Sequence, residues 1–108
     1  MLEVLKSATF EKWLEELRDR EAQARINARI RRLSLGNPGD VKPVGSGISE
    51  MRIDYGPGYR VYYAQHGNVR VLLFCGGDKR TQDADIKQAI KIATDWKQQM
   101  ESGTKTKR

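Results

Sequence analysis

The run Val71-Leu72-Leu73-Phe74 is uninterrupted apolar sequence, bounded upstream by Gly67-Asn68 and downstream by Gly76-Gly77. It is too short for a buried helix and is fenced by turn formers, so it reads as a strand covered on both faces at the centre of a sheet. The chain before it supplies its neighbours. In 50–55, Met51, Ile53 and Tyr55 alternate with Glu50, Arg52 and Asp54, and Gly56-Pro57-Gly58 then turns the chain. In 59–65, Val61 and Tyr63 share one face while Arg60 and Tyr62 share the other. With 69–74 as the third member, ended by Gly76-Gly77, this is a three-stranded antiparallel meander.

Helical periodicity flanks the meander. After the alternating Leu2-Glu3-Val4-Leu5-Lys6, which reads as a short strand, Phe10, Trp13, Leu14 and Leu17 fall on one helical stripe, with Ser7 or Thr9 placed to cap it. Arg18-Asp19-Arg20 marks a break, and Ala22, Ile26, Ile30 and Leu33 form a second stripe that Gly36 and Asn37-Pro38-Gly39 terminate. Residues 36–47, rich in Gly and Pro, read as a surface loop. Thr81 can cap a last helix with stripe Ile86, Ala89, Ile90, Ala93, Trp96 and Met100, and Asp83 and Asp85 in its first turn suit the helix dipole.

The expected fold is therefore α+β: an N-terminal strand, a helical hairpin, the meander joined with that strand into one sheet, and a C-terminal helix. Residues 1–101 form a single domain and 102–108 a disordered basic tail. Helices cover one sheet face. The other is expected to stay partly open, carrying Arg52, Arg60 and Tyr62, with Lys79 and Arg80 just past a strand end.

Charge narrows the partners. Twenty Lys and Arg against fourteen Asp and Glu give +6 and a pI near 9.7, which favours polyanions. No run approaches the roughly 20 apolar residues of a membrane span, and no signal pattern opens the chain, so a cytoplasmic location is expected. Cys75 is the single cysteine and cannot form an internal disulfide. With His66 it gives no zinc-ligand spacing, and no phosphate-binding glycine loop is present, so neither a metal nor a nucleotide cofactor is expected.

The stretch Glu50-Met51-Arg52-Ile53-Asp54-Tyr55-Gly56-Pro57-Gly58-Tyr59-Arg60-Val61-Tyr62 is followed by Leu72-Leu73-Phe74-Cys75-Gly76-Gly77-Asp78-Lys79 and Gln82-Asp83-Ala84-Asp85-Ile86. This combination resembles the RelE/ParE toxin superfamily, and more narrowly its HigB-like addiction module killer branch, over residues 2–98. The resemblance implies the toxin of a type II toxin-antitoxin system, a ribosome-dependent mRNA endonuclease paired with a helix-turn-helix antitoxin and reaching operator DNA only through it. The superfamily also contains gyrase poisons. A ParE-like DNA gyrase inhibitor without nuclease activity is thus one alternative, and a decayed toxin that only binds its antitoxin is another.

Metal-free RNA cleavage needs a proton acceptor for the 2′-hydroxyl, a cation for the crowded phosphate and a donor for the leaving oxygen. Arg60 is the first candidate for the phosphate because its planar fork binds two oxygens; its structural alternative is a pair with Asp54. Arg52 lies on the same face, and Lys79 follows Gly76-Gly77-Asp78 as a candidate for catalysis or for a pair with Asp78 or Asp83. Arg80 and Tyr62 are candidate RNA contacts, with tyrosine packing as the alternative for Tyr62. Arg25, Arg29 and Arg32, in a stretch that also holds Arg18, Arg20 and Arg31, are a second candidate RNA surface or a solvated helix face. His66 belongs to a hairpin turn and is not chosen.

Overall fold

The computed structural model describes the backbone of residues 1–106 and side chains as far as residue 99. Its element order is β1 (Glu3–Lys6), α1 (Ala8–Glu16), α2 (Arg20–Ser34), β2 (Val41–Gly45), β3 (Ile48–Ile53), β4 (Tyr59–His66), β5 (Arg70–Asp78), a 3₁₀ turn (Lys79–Thr81) and α3 (Gln82–Thr106). The five strands make one sheet in the order β1-β5-β4-β3-β2, with β1 parallel to β5 and the rest antiparallel. The apolar run thus lies inside the sheet, between β1 and β4, and Val71, Leu72, Leu73 and Phe74 are all buried.

Capping residues set the helix starts. Ser7 Oγ accepts from the Phe10 amide at 2.9 Å and donates to the Phe74 carbonyl, which ties the start of α1 to β5. Asp19 Oδ1 accepts from the Glu21 and Ala22 amides at 3.0 and 3.2 Å and caps α2, while its Oδ2 accepts from the Tyr55 hydroxyl at 2.9 Å. That tyrosine bond, ahead of the cap bonds, holds the Asp19 carboxyl below the usual carboxylate range. Gly36, at φ +92°, ends α2 where a side chain would be strained.

Both sheet faces are covered. On one, Phe10 of α1 and Ile26, Ile30 and Leu33 of α2 pack on Met51, Ile53, Val61, Tyr63, Val71 and Leu73. On the other, Ala89 with Ile86, Ile90, Ala93 and Trp96 of α3 packs on Ile48, Tyr62, Ala64, Leu72, Phe74 and Cys75. This corrects the expected open face: α3 lies on it, Arg60 is largely buried there, and Arg52 stays partly exposed.

Three local expectations also change. The loop placed at 36–47 contains β2, an edge strand that tolerates Pro43 because an outward position needs no ladder N–H. Ser46 and Gly47, at φ 55° and 75°, form the tight turn that joins it to β3. Gly76 and Gly77 do not end β5 but lie within it, paired with Val61 and Arg60. Between the Tyr62–Cys75 and Tyr63–Leu73 pairs, Phe74 is an extra residue, a bulge that turns both Phe74 and Cys75 toward α3. The start of α3 is preceded by a 3₁₀ turn capped by Asp78, whose Oδ1 accepts from the Arg80 amide at 2.9 Å, in place of a Thr81 cap.

At its other end α3 runs to Thr106, into the stretch 102–108 expected as a disordered tail. Residues 107 and 108, and the side chain of Met100, lie outside the described residues. Among the described residues no helix is long and apolar enough to cross a membrane.

Candidate active site

Strand register sets out the end of the sheet that carries Arg60. Arg52 of β3 stands opposite Arg60 of β4, and Arg60 stands opposite Gly77 of β5, so the three form one cross-strand row. Directly opposite residues point to the same face. Arg60 is largely buried, its side chain 12% exposed, and its partner is Glu50 at 3.8 Å rather than the exposed Asp54. Arg60 Nη1 donates to the Gly58 carbonyl at 3.1 Å, which fixes the guanidinium against the β3–β4 turn.

Glu50 is the residue that alternation alone did not single out. It is 2% exposed, and its Oε2 accepts from the Tyr62 hydroxyl at 3.0 Å and from Gln82 Nε2 at 2.8 Å. A buried carboxylate with two donors and a guanidinium is held in one position, and it holds them in turn. Tyr62 is therefore not a stacking platform. It is fully buried, donates to Glu50, and burial together with that bond pushes its hydroxyl far above the ordinary tyrosine range.

Lys79 and Arg80 extend the row into solvent. Both are exposed, and a Cβ at Gly58 would lie 3.4 Å from Arg60 Nη1 and 3.5 Å from Lys79 Cβ, so the Arg60 guanidinium and the root of the Lys79 side chain both border one turn residue. Neither Asp78 nor Asp83 forms an ion pair with Lys79, whereas Arg80 reaches Asp78 at 3.4 Å. Arg52 is drawn sideways to Asp40 at 3.0 Å and stays partly exposed.

The basic helix divides. Arg29 donates to the carbonyls of Arg52, Pro38 and Asp40 at 2.6, 3.1 and 3.2 Å, and so serves as a clamp between α2 and the start of β2. Arg25 pairs with Glu21 at 3.0 Å and lies over the Tyr55 ring at 4.6 Å, while Arg32 is exposed. His66 sits exposed at the far end of β4 from Arg60.

A groove of ≈ 440 Å³ adjoins Lys79 and Arg80, lined among others by Trp13, Tyr59, Gly76, Gly77, Thr81 and Asp85. The two glycines are required by close approach. A Cβ at Gly76 would collide with the Trp13 ring and one at Gly77 with the Asp85 carboxylate. Desolvation raises the Asp85 carboxyl above its ordinary range, against the lowering effect of its bond from Thr81. Helical spacing placed Asp85 only at a helix N-terminus; its seat over Gly77 comes from packing.

Comparison with known proteins gives the family. Residues 12–98 match the family described as "Phage derived protein Gp49-like (DUF891)". A Haemophilus influenzae protein, described only as "Uncharacterized protein", is 53% identical over 92 residues, covering 85% of this chain and 93% of that protein. The chain belongs to the phage-derived Gp49-like family, a family of RelE/HigB-like toxins in general.

Proposed function

We propose that the protein is the toxin of a type II toxin-antitoxin pair, of the HigB-like kind, and that it arrests translation by cleaving mRNA on the ribosome. The observation that carries this reading is the anchoring of Arg60. A guanidinium 12% exposed, paired with a buried carboxylate and set in one row with Arg52 on the side of the exposed Lys79, is a preorganised cation with only its edge in solvent. Fixed cations cost no reorganisation when phosphate charge develops.

In this reading the RNA 2′-hydroxyl gives its proton to water as its oxygen attacks the adjacent phosphorus, the bond to the 5′-oxygen breaks, and that oxygen takes a proton from water, leaving a 2′,3′-cyclic phosphate and a 5′-hydroxyl. Arg60 stabilises the extra charge on the phosphoryl oxygens. Lys79, on a turn and free of an acidic partner among the described residues, is the mobile cation that meets the phosphate or the leaving oxygen. Arg52 and Arg80 steer the backbone on either side. Arg25 and Arg32 supply a second, salt-sensitive contact surface on the ribosome. A cognate helix-turn-helix antitoxin completes the pair and restrains the toxin.

Primer extension on mRNA from cells expressing the chain alone tests this. Cuts within translated codons, reduced on the order of a hundredfold in Lys79→Ala and in a folded Arg60→Lys variant, are expected, since losing one transition-state contact costs about that much. Growth arrest with intact mRNA and trapped double-strand DNA breaks would transfer the activity to gyrase. Absence of any arrest would reduce the chain to an antitoxin-binding protein.

A further inference from the structure

The groove beside the cations has three properties that together describe a ligand. Its walls are aromatic, with Trp13 and Tyr59 in edge contact at 6.3 Å and 66°. Its floor is strand backbone: pairing of β1 with β5 ends at Leu73, so Gly76, Gly77 and Asp78 have no strand on that side, while β4 occupies the other. Its polar wall is Asp85, with Oδ2 accepting from Thr81 Oγ1 at 2.5 Å and no donor on Oδ1 among the described residues.

We infer that this groove is the base-recognition pocket of the nuclease site, that it takes a guanine of single-stranded RNA, and that Asp85 is its specificity-determining residue. The inference rests on the RNA-cleavage reading above. An added peptide strand does not fit, because the open edge is only three residues long and Trp13 already lies over Gly76. A flat ring fits the aromatic wall, and the phosphate of a nucleotide seated there would meet Arg80, the cation that lines the groove.

The carboxylate chooses among bases. It only accepts hydrogen bonds, and guanine offers N1–H and the N2 amine side by side on one edge, whereas adenine and cytosine offer one amine and uracil one imide N–H. Thr81 leaves Asp85 enough lone pairs for both guanine donors while fixing the rotamer. Gly77 has no side chain, which lets that carboxylate lie against the strand.

Titration of the whole, ¹⁵N-labelled chain with guanosine, adenosine, cytidine and uridine 5′-monophosphates, followed by NMR, tests the pocket directly. Guanosine monophosphate is expected to bind at least about tenfold more tightly than the others, the discrimination one bidentate contact supplies, and to shift the Gly76, Gly77, Asp85 and Trp13 indole signals. Asp85→Asn keeps the size and a bond with Thr81 and should lose that preference. Sites cut in mRNA should carry a guanine at one fixed position for the wild type and lose that bias in Asp85→Asn. Equal binding of all four nucleotides, shifts confined to surfaces away from the groove, or an unchanged preference in Asp85→Asn would overturn the pocket. If Asp85→Asn does not fold, the wild-type titration decides alone. Guanosine binding in the groove by a chain that cuts no mRNA would uphold the pocket and sink the nuclease reading; cleavage without base bias would do the reverse.

Discussion

Arg60 and Glu50 face each other at 3.8 Å across β3 and β4, with side chains 12% and 3% exposed. Two charges so enclosed hold each other, and Glu50 also gathers Tyr62 and Gln82. Removing one partner strands the rest. Glu50→Ala should lower stability by about 3–5 kcal/mol, the usual cost of an uncompensated buried charge, while Asp54→Ala, at an exposed position, should stay within about 0.5 kcal/mol. Urea unfolding of both variants checks this; equal, small effects would show that Arg60 is not anchored by Glu50.

Gly76 and Gly77 should resist even a methyl group. Gly77→Ala drives Cβ into the Asp85 carboxylate and Gly76→Ala into the Trp13 ring, and each should lower stability by about 1–3 kcal/mol. Gly67→Ala, where a Cβ meets nothing, isolates the cost of a positive φ. Thermal unfolding in which the two strand glycines tolerate alanine better than Gly67 would contradict the close packing.

Among the arginines of α2, Arg29 and Arg32 should separate. Arg29→Gln removes a charged donor shared by three carbonyls and should cost about 1.5–3 kcal/mol, whereas Arg32→Gln should change stability little. Ribosome binding should respond in the opposite sense. Arg25→Gln with Arg32→Gln should weaken it most at low salt and flatten the log affinity against log salt slope by about 0.7 per lost phosphate contact. A slope that does not move would leave these two arginines merely solvated.

Cys75 is 1% exposed, and burial pushes its thiol up to about 12. Only about 10⁻⁴ of it is thiolate at pH 8, so iodoacetamide should label it solely through opening of the sheet, at a rate that rises with urea. The sign follows from the raised value: the native state disfavours the thiolate, so stability is full below the unfolded thiol's pKa near 8.5 and falls as pH rises from there toward 12. Prompt labelling of the native chain would refute this burial.

Periodicity alone determined much of this protein. The alternation in β3 and β4, the apolar run in β5 and the stripes of α1, α2 and α3 each state which side of an element leaves water, because burial of apolar surface is read locally from spacing. That Arg52 and Arg60 lie on one sheet face was legible for the same reason, since alternation sets Arg52 against Met51 and Ile53 and sets Arg60 against Val61; their place opposite each other comes from strand register.

Spacing could not state what covers a face, and that was decided by tertiary structure. Val41-Lys42-Pro43-Val44 has too few apolar residues to announce a strand; pairing with β3 makes it one, because backbone bonds rather than side chains hold an edge. Glu50 and Tyr62 read as polar-face residues until α3 lies over them, after which Glu50 is stable only through Tyr62, Gln82 and Arg60, partners from 10 to 32 residues away. Asp85 acquires its place from Gly77, a residue on another element. A buried polar group is defined by partners distant in sequence, and local pattern carries no record of them.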